Sequence, residues 1–146
     1  MQADSGIDDA GNARLAAIVE SSDDAIIAKD LNGLVQTWNR GAERIYGYSA
    51  AEMIGKTVQI LLPPNRRGEE SSIRRAIQAG ESIHHFATPR VRKDGSTISV
   101  SLTISPIRNQ QGQIIGASHV ARDVTDRVKL QLAVAHLAAI VDSSDD

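Results

Sequence analysis

The chain of 146 residues contains no cysteine, only four prolines, and four aromatic rings in all: one Trp, two Tyr and one Phe. Without a thiol there is no disulfide framework, thiolate zinc site, iron–sulfur cluster, cysteine nucleophile or c-type haem attachment, and no cofactor chemistry that runs through a thiol adduct. This points to a reducing compartment. Basic residues are in no excess either: the formal charge is −2, so nothing marks the chain for a phosphate backbone, and nucleic acid is not expected as a partner. No apolar run approaches the roughly 18 residues of a membrane span, and Met1-Gln-Ala-Asp-Ser-Gly-Ile-Asp-Asp9 lacks the basic start and apolar stretch of a signal peptide. A cytoplasmic protein without membrane contact is expected. What is present, 41% hydrophobic and 23% charged residues, is the composition of one globular domain.

A repeat organises the chain. Leu15-Ala-Ala-Ile-Val-Glu-Ser-Ser-Asp-Asp24 returns 122 residues later as Leu137-Ala-Ala-Ile-Val-Asp-Ser-Ser-Asp-Asp146, with Glu20 exchanged for Asp142. A period of one domain length predicts that residues 128–146 are a connecting helix and the opening of a second similar module, the first being residues 13–127. Residues 1–12, polar and rich in Gly and Asp, are expected to be disordered or frayed.

From about Asn12 to Glu20, Leu15, Ile18 and Val19 fall at helical spacing, and Ser21-Ser22-Asp23-Asp24 ends that helix. Ala25–Lys29 and Leu34–Trp38, separated by Asp30-Leu-Asn-Gly33 with its Asn-Gly turn, predict a β-hairpin. Asn39 stands at a helix start and Gly47 at its left-handed end. Ser49 and Glu52 form a capping box for a short helix closing at Gly55, and Asn65–Ala79 reads as an amphipathic helix with Ile73 and Ile77 on one face and Arg and Glu on the other. Three strands follow. Ile83–Arg92 carries Pro89, which predicts an irregularity or an edge; Ile98, Val100, Leu102 and Ile104 alternate with polar residues; Ile114–Val124 pairs back. Finally Asp126–Val141 is helical, with Leu130, Val134, Leu137 and Val141 at four-three-four spacing, a coiled-coil seam of about two heptads. The class is α+β: a five-stranded antiparallel sheet with short helices on one face, flanked by terminal helices.

These elements and their residues resemble the PAS domain family from Leu15 to Arg127. The signatures are Asp30-Leu-Asn-Gly33, Trp38-Asn39, Ala42-Glu43-Arg44 leading to Tyr46-Gly47-Tyr48-Ser49, Glu52 with Ile54-Gly55-Lys56, Arg92-Lys93-Asp94-Gly95-Ser96, and Arg122-Asp123-Val124-Thr125-Asp126-Arg127. The resemblance implies a sensory and dimerisation module, often in tandem and attached to a histidine kinase, a diguanylate cyclase or a phosphodiesterase. It implies a homodimer, a neighbouring PAS domain and output domain in the same chain, and a ligand site between the inner sheet face and the short helices. Ile27, Trp38, Ala42, Tyr46, Phe86, Leu102, Ile104 and His119 are the positions that would line that site; the same residues equally read as plain hydrophobic core, since the family often keeps a filled interior.

No cofactor is predicted. Flavin photosensing through a cysteine adduct, used by the LOV class of this fold, is excluded. Haem sensors of the family place a histidine on the long helix before the third strand, where this chain has Glu69, Glu70 and serines; non-covalent flavin and haem stay open without a positive motif. His84 and His85 are adjacent and so face opposite sides of a strand, one of them exposed, and no metal site is expected. His119, sharing a face with Ala117 and Ala121, anchors a polar ligand group or is structural, and His136 is solvated. Ser21-Ser22 and Ser71-Ser72 lack a nucleophile setting, and the pairs Asp23-Asp24 and Glu69-Glu70 read as caps and solvated faces, so the chain itself is not expected to be an enzyme. Asp123 and Thr125, where the last strand becomes the exit helix, are a helix cap and, by the resemblance, the joint that relays a signal.

Overall fold

The computed structural model describes the backbone of residues 5–143 and the side chains of residues 10–140. Helix α1, Ser5–Ser21, starts inside the segment expected to be frayed. Gly6 and Gly11 each cost a helix about 1 kcal/mol. Strands β1, Ala25–Asp30, and β2, Val35–Trp38, form the hairpin, with Asp30 accepting from the N–H groups of Asn32 and Leu34 inside the turn.

Helix α2, Arg40–Tyr46, opens on Asn39, whose side chain accepts from Ala42 N–H, and closes on Gly47 at φ 84°, a conformation that costs glycine little. Gly41 is needed for a different reason: a Cβ there would overlap the Asp24 carbonyl. The capping box of Ser49 and Glu52 is formed on α3, Ala50–Met53. The single helix read over Asn65–Ala79 is instead a 3₁₀ turn, Pro64–Arg66, followed by α4, Gly68–Gln78. Pro63 and Pro64 hold the chain extended and then in a tight turn, so the α-helix starts later.

Strands β3, Ile83–Val91, β4, Thr97–Arg108, and β5, Ile114–Asp123, complete an antiparallel sheet in the order β2-β1-β5-β4-β3. Pro89 stays in register opposite Ser99, because β3 is an edge strand and a missing N–H is tolerated there. The irregularity lies earlier: Ile83 pairs with Ile104 and Phe86 with Leu102, leaving one extra residue in β3, and His85 adopts φ 52°. Both His84 and His85 are therefore exposed, where alternation alone exposes one.

Registers align Ile27, His119 and Ile104 in one row across the sheet, and Ala25, Ala121, Leu102 and Phe86 in the next. Ile98, Val100, Leu102 and Ile104 are all buried, as their alternation predicts, and α2, α3 and α4 cover them through Ile45, Tyr46, Met53, Ile73 and Ile77. The exit helix α5, Thr125–Ser143, leaves the end of β5 with Leu130, Val134 and Leu137 exposed. The side chain of Val141, the fourth seam position, lies outside the described residues, as do Ser144–Asp146 of the second repeat copy.

Candidate functional site

Two small chambers lie between the inner sheet face and the short helices. The inner one, about 30 Å³, is walled by Ile27, Lys29, Tyr46, Val58, Leu61, Leu62, Glu70, Ile73, Arg90, Leu102, His119 and Ala121. A second of about 30 Å³ shares Lys29, Ile73 and His119 with it and runs outward past Ala117, Ile77, Arg74 and Gly33. A flavin or haem needs several hundred Å³, so neither fits without displacing core side chains.

Ile27, Tyr46, Leu102 and His119 are the sequence-selected residues on the inner wall. Trp38, Ala42 and Ile104 are buried around the chamber, away from its surface. Trp38 lies 5.6 Å from the Tyr46 ring and donates its Nε1–H to Tyr48 O at 2.9 Å, so its polar edge is already used. Phe86 is half-buried in a separate groove with Glu69, Ser72, Ile73 and Ile83, because the bulge before it and its edge strand set it at the rim.

The charged residues are the ones the sequence reading missed. Glu69 and Glu70, expected on a solvated face, turn toward the sheet. Thr88 Oγ1 donates to Glu69 at 2.8 Å, and Arg90 Nη1 reaches Glu69 Oε1 at 3.2 Å, with both Thr88 and Arg90 buried. Glu70, only 4% exposed, faces Lys29 Nζ at 3.9 Å and Arg74 Nη2 at 3.5 Å. Periodicity carried the signal. Lys29 has the parity of Ala25 and Ile27, and Glu70 stands three and seven residues before Ile73 and Ile77, on the stripe that faces the core.

Burial governs the electrostatics. It lowers the Lys29 ammonium to about 8, with Glu70 opposing and Arg74 and Arg90 adding to the fall. His119 is lowered well below its ordinary value by burial, then by Lys29 and Arg90, so the imidazole is neutral, and its Nε2 has no hydrogen-bond partner. Tyr46 is pushed up to about 12, chiefly by burial. Among the described residues no group of three or more His, Asp or Glu is placed to hold a metal ion.

Asp123 and Thr125 sit where β5 becomes α5. The Asp123 carboxylate accepts from Thr125 N–H at 2.9 Å and from its hydroxyl; Thr125 Oγ1 accepts from Ser99 N–H at 3.0 Å, and Val124 N–H donates to Ser99 O at 2.9 Å. The start of the exit helix is thereby fastened to β4 as well as to its own strand. At the other end of the chain, α1 stands over the outer face of the sheet, where a groove of about 540 Å³ is lined by Leu15, Val19, Ile26 and Ile54 among others. No helix among the described residues is long and apolar enough to cross a membrane.

A family model described as the PAS fold matches residues 13–124. Among curated proteins, the Two-component system protein A of Emericella nidulans is 36% identical over 123 residues, covering 84% of this chain and 18% of that protein. The sensor protein FixL of Bradyrhizobium diazoefficiens is 31% identical over 128 residues, 84% of this chain and 25% of that one. The chain thus spans a quarter or less of the length of these relatives. Among solved structures, the PAS domain of a Colwellia psychrerythraea protein superposes with a TM-score of 0.72 at 29% identity, over 78% of this chain and 97% of that one. An RNA-binding Light-Oxygen-Voltage receptor gives 0.75 at 26% identity, over 91% and 38%.

Proposed function

Because the chain belongs to the PAS family, we propose that it is the sensory module of a longer signal-transduction protein and passes its signal through the exit helix. A histidine kinase is the first choice of output domain, in keeping with relatives named as sensor and two-component proteins, and a diguanylate cyclase or phosphodiesterase the next. In this reading residues 13–127 are the first of at least two PAS domains, residues 128–146 lead into the second, the protein is cytoplasmic, and the module itself catalyses nothing.

The observation that carries the proposal is the joint at Asp123 and Thr125. A change in the tilt of β4 or β5 is transmitted to the first turn of α5 because Ser99 bonds both Val124 and Thr125. In the full-length protein, Asp123→Ala with Thr125→Ala should cut the signal-dependent change in output several-fold, while costing the domain about 1–2 kcal/mol. Unchanged regulation by the folded double variant sinks the joint.

Relay of this kind calls for a second copy. Leu130, Val134 and Leu137 are 58–65% exposed on α5, and Leu15 and Ile18 are 62–63% exposed on α1. We assign them to a parallel dimer seam, with Val141 continuing it. Leu130→Glu with Leu137→Glu should shift the sedimentation profile toward monomer, and an unaltered profile refutes the seam.

A further inference from the structure

The polar atoms around the two chambers are unpaired in a way that specifies a ligand. Buried polar groups are almost always hydrogen-bonded, because leaving one bare costs about 1–3 kcal/mol. Here both carboxylate oxygens of Glu70 and Nε2 of His119 have no hydrogen-bond partner, and both side chains line the chambers. Lys29 Nζ, at 3.9 Å from Glu70, is beyond hydrogen-bond length. Glu70 on α4 and His119 on β5 thus face one space with hydrogen-bonding capacity unused, beside the Lys29 ammonium on β1.

The charges are also uneven. Arg90 is held by Glu69, Thr88 and Pro89 O, whereas Lys29 and Arg74 share the single carboxylate of Glu70; Asp30, the other acid on the outer chamber's wall, has its Oδ1 committed to the N–H groups of Asn32 and Leu34, so two cations face Glu70 alone. That excess asks for an anion. The unused lone pairs of Glu70 ask for a hydrogen-bond donor on the same molecule. Deepening the sensory reading, on which it rests, we propose that the domain binds a small hydroxycarboxylate, with its carboxylate against Lys29 and Arg74 and its hydroxyl donating to Glu70. The Lys29 ammonium is lowered chiefly by its burial, with Glu70 opposing and Arg74 and Arg90 adding smaller contributions.

Size narrows the class. At roughly 10–15 Å³ for each water-sized group, the two chambers of about 30 Å³ hold about two to three groups apiece. Together they suit an acid of two or three carbons and leave no space for a ring. An amino acid of that size brings its own cation and leaves the extra positive charge unmatched.

Titration calorimetry of the 146-residue chain at pH 7, with sodium glycolate and lactate against acetate, glycine and chloride, tests this. Saturable heat is expected from at least one hydroxy acid, binding at least tenfold weaker from acetate, and none from glycine or chloride. The Lys29→Met, Glu70→Leu double variant exchanges the pair for apolar residues together, which buried pairs tolerate, and should bind nothing while keeping the parent's circular dichroism. The proposal is overturned by no saturable heat from either hydroxy acid, by acetate or glycine binding as tightly, or by unchanged binding in the folded double variant. If that variant does not fold, the ligand series on the parent chain decides alone. None of these results bears on the Asp123 and Thr125 joint, whose variant tests the sensory reading without a ligand.

Discussion

Glu70→Leu lowers the stability of the chain by about 3–5 kcal/mol, and adding Lys29→Met brings it back to within about 1 kcal/mol of the parent. Removing the carboxylate alone strands a buried ammonium. Arg74, whose side chain is 42% exposed, turns out to water, but Lys29, at 6%, has nowhere to go. Removing both charges together leaves two apolar side chains in an apolar layer with Ile27, Ile73 and Ala117. Urea denaturation of the four proteins of this double-mutant cycle gives the coupling directly. A single variant within 1 kcal/mol of the parent refutes the account.

The same lysine sets a pH signature. Its folded value is about 8 against 10.5 unfolded, so between those limits the unfolded chain binds more protons and stability rises with pH. Tyr46 works in the opposite sense. Its folded value of about 12 against 10 unfolded means its contribution is complete below pH 10 and is lost as pH climbs toward 12. Stability therefore rises from pH 8, crests near 10 and falls beyond it. Lys29→Met should lose the rise and keep the fall; the groups facing Lys29 are Glu70 and Arg74 on α4, Arg90 on β3 and His119 on β5. A profile from pH 8 to 10 that is the same in parent and variant excludes Lys29 as its source.

The second large effect is at Asn39. Its Oδ1 accepts from Ile26 N–H and Ala42 N–H, both at 2.9 Å, and its Nδ2 donates to Val19 O at 2.7 Å and Asp24 O at 3.0 Å. One side chain, 3% exposed, therefore ties the end of α1, the start of β1 and the start of α2. Asn39→Ala removes a helix cap worth about 1 kcal/mol and strips partners from three partly buried backbone groups, at the lower end of about 1–3 kcal/mol each, so a loss of about 3–4 kcal/mol is expected. For a domain of this size that lowers Tm by roughly 10–15 °C. Asn39→Asp keeps the two acceptors but sets an oxygen against two carbonyls, so it should recover only the cap. Thermal unfolding that places either variant within 2–3 °C of the parent contradicts this role for Asn39.

Asn39 also marks the boundary of what the sequence makes legible. Its cap could be read because capping is local: Asn39 and Ala42 are three residues apart. The bonds to Val19 and Asp24 span 20 and 15 residues and exist only once the sheet has formed. The capping box at Ser49 and the alternation from Ile98 to Ile104 were visible for the same reason, being short patterns with one physical meaning. Glu70 was visible in pattern and misread in chemistry, and Lys29 was given no role beyond its strand. Their spacing puts both on buried stripes, but the charge of Glu70 argued for solvent, and only the approach of α4 to β1 brings the two together. The bulge at His84 and His85 has no local signature, since neither is a residue that prefers positive φ as glycine does; the registers on either side impose it. The early start of α1 was hidden by its two glycines.

Ala25, the first residue of β1, pairs with Ala121 near the end of β5, and Asp24 holds Arg122 at 3.3 Å. The chain therefore enters and leaves the sheet at one place. In mechanical terms, tension between α1 and α5 would meet the antiparallel β1–β5 pair from its Ala25–Ala121 end. The hydrogen-bonded rungs are loaded one after another from the Ala25–Ala121 end, as a zipper is, and never all at once as in shear. A small pull on the helices is thus concentrated on the first rung, the Asp24–Arg122 contact and the Asn39 bonds.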